Sequence, residues 1–165
     1  ISTSIAASRK VFNVKDKDIK LGVQKISLKG RLEEIKSGNL KKIAGNNRLI
    51  IDGGHNISSS FVIADWIKKQ NQEVNLIVGM MKDKDHLKFM SSYENIIKNV
   101  TLIDIPSQDG AILKEEFKNK IDCLNFKLNL SNSIEDAIKS LAKNNNSIIL
   151  IVGSLYLIGE VLNLG

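Results

Sequence analysis

Short apolar runs punctuate the chain at regular intervals: RLIID (48–52), VNLIVG (74–79), VTLIDI (100–105), FKLNL (126–130) and SIILIVG (147–153). Each is rich in β-branched residues. Each is followed by a segment whose apolar residues recur at helical spacing, starting near Ser58, Lys84, Ala111, Ser133 and Leu155. Runs this short suit strands, and intervening segments of about ten residues or more suit helices. Runs that are apolar on both faces belong to strands covered above and below, and the alternation supplies the crossovers that parallel strands need. The pattern predicts a three-layer, Rossmann-like α/β fold, a mainly parallel sheet of about six strands with helices on both faces.

Upstream the pattern changes. Ser4 to Phe12 and Asp16 to Val23 read as two short helices joined by NVKDK, and RLEEIKSGNLKKIAG (31–45) alternates apolar and polar positions around Ser37-Gly38-Asn39. That stretch predicts a small hairpin or paired edge strands with Leu32, Ile35, Leu40 and Ile43 on the packed side. The main domain is placed at residues 30–165, with 1–29 as a preceding connection. Pro106 is expected to close the third long strand, because it has no donor for the ladder. Ser133, with Asp136 three residues later, reads as a helix N-cap.

Composition narrows the function. The 165 residues hold 42% hydrophobic and 25% charged residues, the balance of one soluble globular domain. The formal charge of +6 comes from lysines scattered through helices, and with 5% aromatics it gives no basic stripe interleaved with stacking rings, so no nucleic-acid partner is expected. No apolar run nears the roughly 20 residues that cross a bilayer, and none is expected to contact a membrane. The single cysteine, Cys123, suits a reducing compartment, and a cytoplasmic location is expected. The sequence opens on Ile1 inside a helical pattern, as a piece of a longer protein would.

In an open parallel sheet, ligands gather beyond the carboxyl ends of the strands. That rule selects IIDGGHN (50–56), VGMMKDKDH (78–86) and IVGSLYLIGEV (151–161). In the first, Gly53 and Gly54 let the backbone turn tightly and a ligand come close, and the following helix offers free N–H groups. Asp52 can accept from ribose hydroxyls, and His55 and Asn56 can donate to a phosphate or carboxylate. An Asx turn with Asn56 or Ser58 capping the helix fits the same residues. A metal site is not expected there, because one His and one Asp are too few ligands and His86 lies in another loop. In the second stretch Lys82 or Lys84 can reach an anion and Asp83 or Asp85 can cap a helix. In the third Ser154 is a cap or a ligand hydroxyl, and Leu155, Leu157, Ile158 and Val161 are core by default. Neither a G-x-x-x-x-G-K-[ST] loop nor a G-x-G-x-x-G turn occurs in the chain.

GRLEEI (30–35), LIIDGGHNISS (49–59), VGMMKDKD (78–85) and GSLYLIGEVL (153–162), in this order, resemble the C-terminal domain of the Mur ligase superfamily, specifically its folylpolyglutamate synthase/dihydrofolate synthase branch. The resemblance covers essentially the whole chain, with residues 1–25 matching the end of the family's central ATPase domain and the interdomain connection. It departs at Gly54 and Ile57, where the family usually has Ala and Pro. It implies an ATP-dependent ligase that adds L-glutamate to a folate or dihydropteroate carboxylate through an acyl phosphate. The Walker loop, the Mg²⁺ ligands and the rest of the ATP site would lie in the N-terminal and central domains. By the same resemblance Arg31, Asp52 and His55 bind ATP, His55, Ser154 and Tyr156 bind glutamate, and Lys84 is a further anion contact; core packing is the rival role for Tyr156. No residue of the chain is expected to be catalytic, and the isolated fragment is expected to lack ligase activity. The competing expectations are a peptidoglycan-precursor ligase domain and a non-catalytic α/β binding module.

Overall fold

The computed structural model describes residues 2–25, 28–106, 108–143 and 146–165. In chain order the elements are α1 (Ser2–Val11), α2 (Asp16–Lys25), β1 (Glu33–Ile35), α3 (Asn39–Ala44), β2 (Arg48–Asp52), α4 (Ile57–Lys68) and β3 (Val74–Val78). There follow α5 (His86–Ser91), β4 (Asn99–Ile103), α6 (Lys114–Ile121), β5 (Lys127–Ser131), α7 (Ile134–Leu141), β6 (Ile148–Val152) and α8 (Leu155–Leu164). One six-stranded sheet runs in the order β1-β2-β6-β3-β4-β5. All pairs are parallel except β1, which runs antiparallel along β2. The predicted three-layer fold is therefore present.

The two-residue period of a strand sends alternate side chains to opposite faces, and two cores result. Ile50, Leu76, Val78, Val100, Leu102, Ile148 and Leu150 pack under α4, α5 and α6 through Ile63, Ile67, Phe89, Met90 and Phe117. Leu49, Ile51, Ile77, Ile103, Ile149 and Ile151 pack under α3, α7 and α8 through Leu40, Ala44, Ile138, Leu157, Ile158 and Val161. The central strands β3 and β6 are buried along their whole length. Edge strand β5 is half exposed, so the expectation of apolar faces on both sides fails there.

The expected hairpin over 31–45 is half right. Glu33–Ile35 pairs with β2, but residues 39–44 form α3. Gly38, at φ 95°, breaks the strand direction, and Leu40, Ile43 and Ala44 stand at i, i+3 and i+4, which fits one helical face better than a pleat. The Lys41 ammonium ties down the exposed end of the helix by donating to the carbonyls of Gly45 and Asn47. Leu32 packs into the core under α4, on the opposite face from Ile35, Leu40 and Ile43.

Several helices are shorter than the periodicity suggested. α5 has 6 residues, and α6 begins at Lys114 rather than Ala111, because Ala111 bridges Met81 in an extended conformation. Strand β4 stops at Ile103, ahead of Pro106; there the Asp104 carboxylate accepts from both Lys114 N–H and Lys114 Nζ and turns the chain toward α6. The cap at Ser133 is formed, its Oγ accepting from Asp136 N–H. α2 has no buried residue, and Val11, Phe12, Leu21 and Leu28 around the first two helices are exposed.

Candidate functional site: two hollows sharing the 52–56 loop

The carboxyl ends of β2, β6 and β3 lie side by side, so the three loops selected from the sequence converge. Asp52 ends β2 and is 6% exposed. Its Oδ2 accepts from Leu32 N–H at 2.8 Å and its Oδ1 from Gly54 N–H at 2.7 Å, and the Arg31 guanidinium stands 4.0 Å from Oδ1. Gly53 N–H donates to the Gly30 carbonyl at 2.8 Å. These bonds hold the turn at Gly30 to Leu32, in which Leu32 has φ 45°, a left-handed conformation that costs a branched residue about 1–2 kcal/mol. Asp52 is thus a latch between two loops, and Arg31 is carried on the latched turn.

Leu155 and Arg31 lie close over Gly53: an added Cβ would stand 2.2 Å from Leu155 Cδ2 and 2.8 Å from Arg31 Nη1, so both side chains would have to shift. Gly153, at φ 112°, brings the start of α8 against Gly79, whose carbonyl would stand 2.6 Å from an added Cβ. Gly153 N–H donates to the Gly54 carbonyl at 3.0 Å, joining the first and third loops.

Asn56 caps α4, with Oδ1 accepting from Ser59 N–H and Asn56 N–H donating to Ser59 Oγ. The turn-and-cap reading is therefore true of Asn56, and it does not exhaust the loop. His55 Nδ1 donates to the Gly53 carbonyl at 2.9 Å. A carbonyl can only accept, so Nδ1 carries a hydrogen and Nε2 is left free for another partner.

His55 lines two separate hollows. The smaller, about 220 Å³, is formed by Arg31, Asp52, Gly53, Gly54, His55, Asn56, Ser59, Val62 and Ile63. The larger, about 540 Å³, is formed by His55, Met81, Lys82, Asp83, Lys84, Gly110, Ser154, Leu155 and Tyr156. The residues expected at ATP (Arg31, Asp52, His55) all fall in the first. Those expected at glutamate (His55, Ser154, Tyr156), together with Lys84, all fall in the second.

In the larger hollow Ser154 is 2% exposed and its Oγ accepts from Tyr156 N–H at 3.1 Å, which leaves the hydroxyl hydrogen without a protein acceptor among the described residues. Tyr156 is 55% exposed, so the rival role in the core does not hold for it. Leu155, expected in the core, is 49% exposed and lies over Gly53. The Lys84 ammonium is 2.7 Å from Asp83 Oδ2, and that contact holds the Asp83 carboxyl below its ordinary range. Lys82 is exposed and enters no ion pair among the described residues. Asp85, not Asp83, caps α5.

Sequence reasoning missed Gly110, which reaches the hollow because Lys82 N–H donates to its carbonyl and Ile112 N–H to that of Met80. It also missed Val62, half of an exposed Phe61-Val62 pair on the outer side of α4. His86 is 3% exposed, donates from Nε2 to the Met81 carbonyl at 3.0 Å and meets Phe117 edge-on; burial pushes its pKa down. Among the described residues no three His, Cys, Asp or Glu side chains are close enough to hold a metal ion, and no helix is long and apolar enough to cross a membrane.

Residues 36–164 match the family described as dihydrofolate synthetase, C-terminal domain. The dihydrofolate synthase/folylpolyglutamate synthase of Haemophilus influenzae is 26% identical over 168 residues, covering 90% of this chain and 38% of that protein. Its namesake in Bacillus subtilis is 23% identical, covering 92% of this chain and 34% of that protein. The folylpolyglutamate synthase of Mycobacterium tuberculosis, solved with ADP and AMPPCP, has the same fold at a TM-score of 0.79 with 17% identity, over 95% of this chain and 36% of that one. E. coli FolC, solved with DHPP and ADP, superposes at 0.68 with 18% identity, over 91% of this chain and 34% of that one. The chain spans a little over a third of the length of these relatives. It belongs to the family of dihydrofolate synthetase C-terminal domains.

Proposed function

We propose that this domain forms the nucleotide- and amino-acid-facing half of an ATP-dependent ligase that joins L-glutamate to the carboxylate of dihydropteroate or of a folate. The observation that carries the reading is the sharing of His55 between two hollows, one lined by Arg31 and the Asp52 latch, the other by Ser154, Tyr156 and two lysines.

In the reaction the carboxylate attacks the terminal phosphorus of ATP, ADP leaves, and the acyl phosphate is attacked by the glutamate amine; phosphate departs and the amine loses a proton. The task is alignment and charge neutralisation rather than covalent catalysis by the protein. Arg31 would meet the nucleotide's phosphates from the smaller hollow. Asp52, with both oxygens engaged by backbone N–H groups, serves the nucleotide mainly by fixing Arg31 and the Gly53-Gly54 turn, and its remaining lone pairs are what a ribose hydroxyl could reach. Glutamate carboxylates would be met by the Ser154 hydroxyl, Tyr156 and the lysines. His55 Nε2, placed between the two, would bind rather than react.

The metal that ATP brings would be held by the N-terminal ATPase domain of the same protein. Residues 1–29 would lead from that domain, and the parent protein would work in the cytoplasm. The test is ADP formation by the full-length protein. It should require L-glutamate and either dihydropteroate or tetrahydrofolate, ignore UDP-muramyl precursors, and be absent from the 165-residue chain alone. Turnover of a UDP-muramyl precursor, or glutamate-dependent ATP hydrolysis by the chain alone, contradicts the reading.

A further inference from the structure

The loop over residues 80–85 forms one wall of the larger hollow and carries Lys82 and Lys84. Its first two residues are packed, Met80 fully buried in the core under α4, α5 and α6 and Met81 against the other core, and backbone bonds tie it to a neighbouring loop: Ile112 N–H to the Met80 carbonyl and Lys82 N–H to the Gly110 carbonyl. Among the described residues one side chain from the core also hydrogen-bonds to it. His86, buried at the start of α5 and packed edge-on against Phe117 of α6, donates from Nε2 to the Met81 carbonyl, which also accepts from Lys84 N–H. The bond closes the 81–84 turn from below. Because a carbonyl can only accept, Nε2 must carry the ring hydrogen, and Nδ1 has no protein partner among the described residues.

We propose that His86 is a positioning residue for the larger hollow: its Nε2–H, fixed on the Met81 carbonyl, holds the lysine-bearing loop opposite His55, Ser154 and Tyr156. The ring touches no ligand site and acts only through the loop. A second proton would place a charge on a largely buried ring. Burial opposes that charge, as does Lys120 on α6, while the Met81 carbonyl, Glu116 on α6 and Asp85 at the cap of α5 favour it. Nε2 keeps its hydrogen in either protonation state, so the bond to the Met81 carbonyl does not depend on the second proton. The ligand arm of the test rests on the larger hollow being the amino-acid site; the loop arm does not.

The experiment compares wild type, His86→Gln and His86→Leu by amide-resolved NMR. Glutamine offers an N–H at the reach of Nε2, and leucine offers none. In the loop arm, without ligand, hydrogen exchange at Lys82 and Lys84 is expected to quicken at least about tenfold in His86→Leu and to return near the wild-type rate in His86→Gln, with Gly54 and Ser59 unmoved. In the ligand arm, L-glutamate binding at about pH 7.5 weakens about tenfold in His86→Leu and is restored in His86→Gln, while ADP binding stays within twofold in both.

Equal loss of both ligands, or unchanged exchange at Lys82 and Lys84 in His86→Leu, overturns the proposal. If wild type fails to bind glutamate, the reading of the hollow falls and the loop arm still decides the role of His86. If His86→Leu does not fold, the nitrogen-15 shifts of the wild-type His86 ring decide it: a hydrogen on Nε2 supports the bond to Met81, and a hydrogen on Nδ1 alone refutes it.

Discussion

Replacing Asp52 by asparagine changes one atom and removes the symmetry on which the latch depends. Each carboxylate oxygen accepts one backbone N–H, from Leu32 at 2.8 Å and from Gly54 at 2.7 Å. Asparagine keeps one acceptor and turns an NH₂ toward the other donor. A hydrogen bond to a charged group contributes about 1.5–3 kcal/mol, and a buried N–H left facing another donor adds a desolvation cost, so a loss of about 2 kcal/mol is expected. Alanine strands both N–H groups and should cost about 3–5 kcal/mol. For a domain of this size 2 kcal/mol lowers the melting temperature by about 4–8 °C.

The assay is urea unfolding followed by circular dichroism, with amide exchange at Leu32 and Gly54 as the local readout. Arg31→Ala is the contrast. Its guanidinium is half exposed and 4.0 Å from the carboxylate, so its removal should change stability by less than about 0.5 kcal/mol while weakening ADP binding. An Asp52→Asn variant as stable as wild type, with Leu32 and Gly54 still protected, refutes the latch.

Ile57 occupies the first turn of α4, after an extended Asn56 at φ −136°, ψ 168°, a conformation that tolerates a following proline. Ile57→Pro should therefore stabilise the domain by about 0.4–1 kcal/mol in the same urea assay, and a loss of stability would show that the first turn does not fit proline. Gly153→Ala combines φ 112° with a Cβ 2.6 Å from the Gly79 carbonyl; thermal unfolding should show at least about 2 kcal/mol of destabilisation. His86 has a folded-state pKa below its ordinary 6.5, so the unfolded chain binds more protons under that value. Its contribution is complete above pH 6.5 and is lost as the pH falls from there through the folded value. Urea midpoints measured from about pH 7.5 to about pH 5 should decline more steeply for wild type than for His86→Gln.

The fold was legible where burial is two-sided. β2, β3 and β6 are apolar runs because helices cover both faces, and no other element in a domain of this length produces that pattern. It was illegible at the margins. Edge strand β5 is half polar, and Asn39–Ala44 carries an apolar spacing that serves a short helix or a strand, with only the backbone turn at Gly38 deciding between them.

The site was legible to the extent that the topology forces three strand ends together. The assignment of Arg31, Asp52, His55, Ser154, Tyr156 and Lys84 to one end of the sheet needed no more than that, together with the family resemblance. Other features depend on three-dimensional neighbours. Asp52 is occupied by the backbone of residues 32 and 54, twenty positions apart on one side and two on the other. Leu155 is exposed because Gly53 lies beneath it. His86, eight residues beyond the end of β3, looks in sequence like a surface histidine in a lysine–aspartate run, and only the packing of α6 makes it a buried anchor. No local pattern encodes the division of the strand ends into two hollows with His55 as the common wall.

That division is the centre of the account, and separate NMR titrations of the chain with ADP and with L-glutamate test it most directly. ADP should shift the amides of Arg31, Gly53, Gly54, Ser59 and Val62, glutamate those of Lys82, Lys84, Gly110 and Tyr156, and His55 should respond to both. Two ligands shifting one common set of amides, or a His55 indifferent to either, would contradict it.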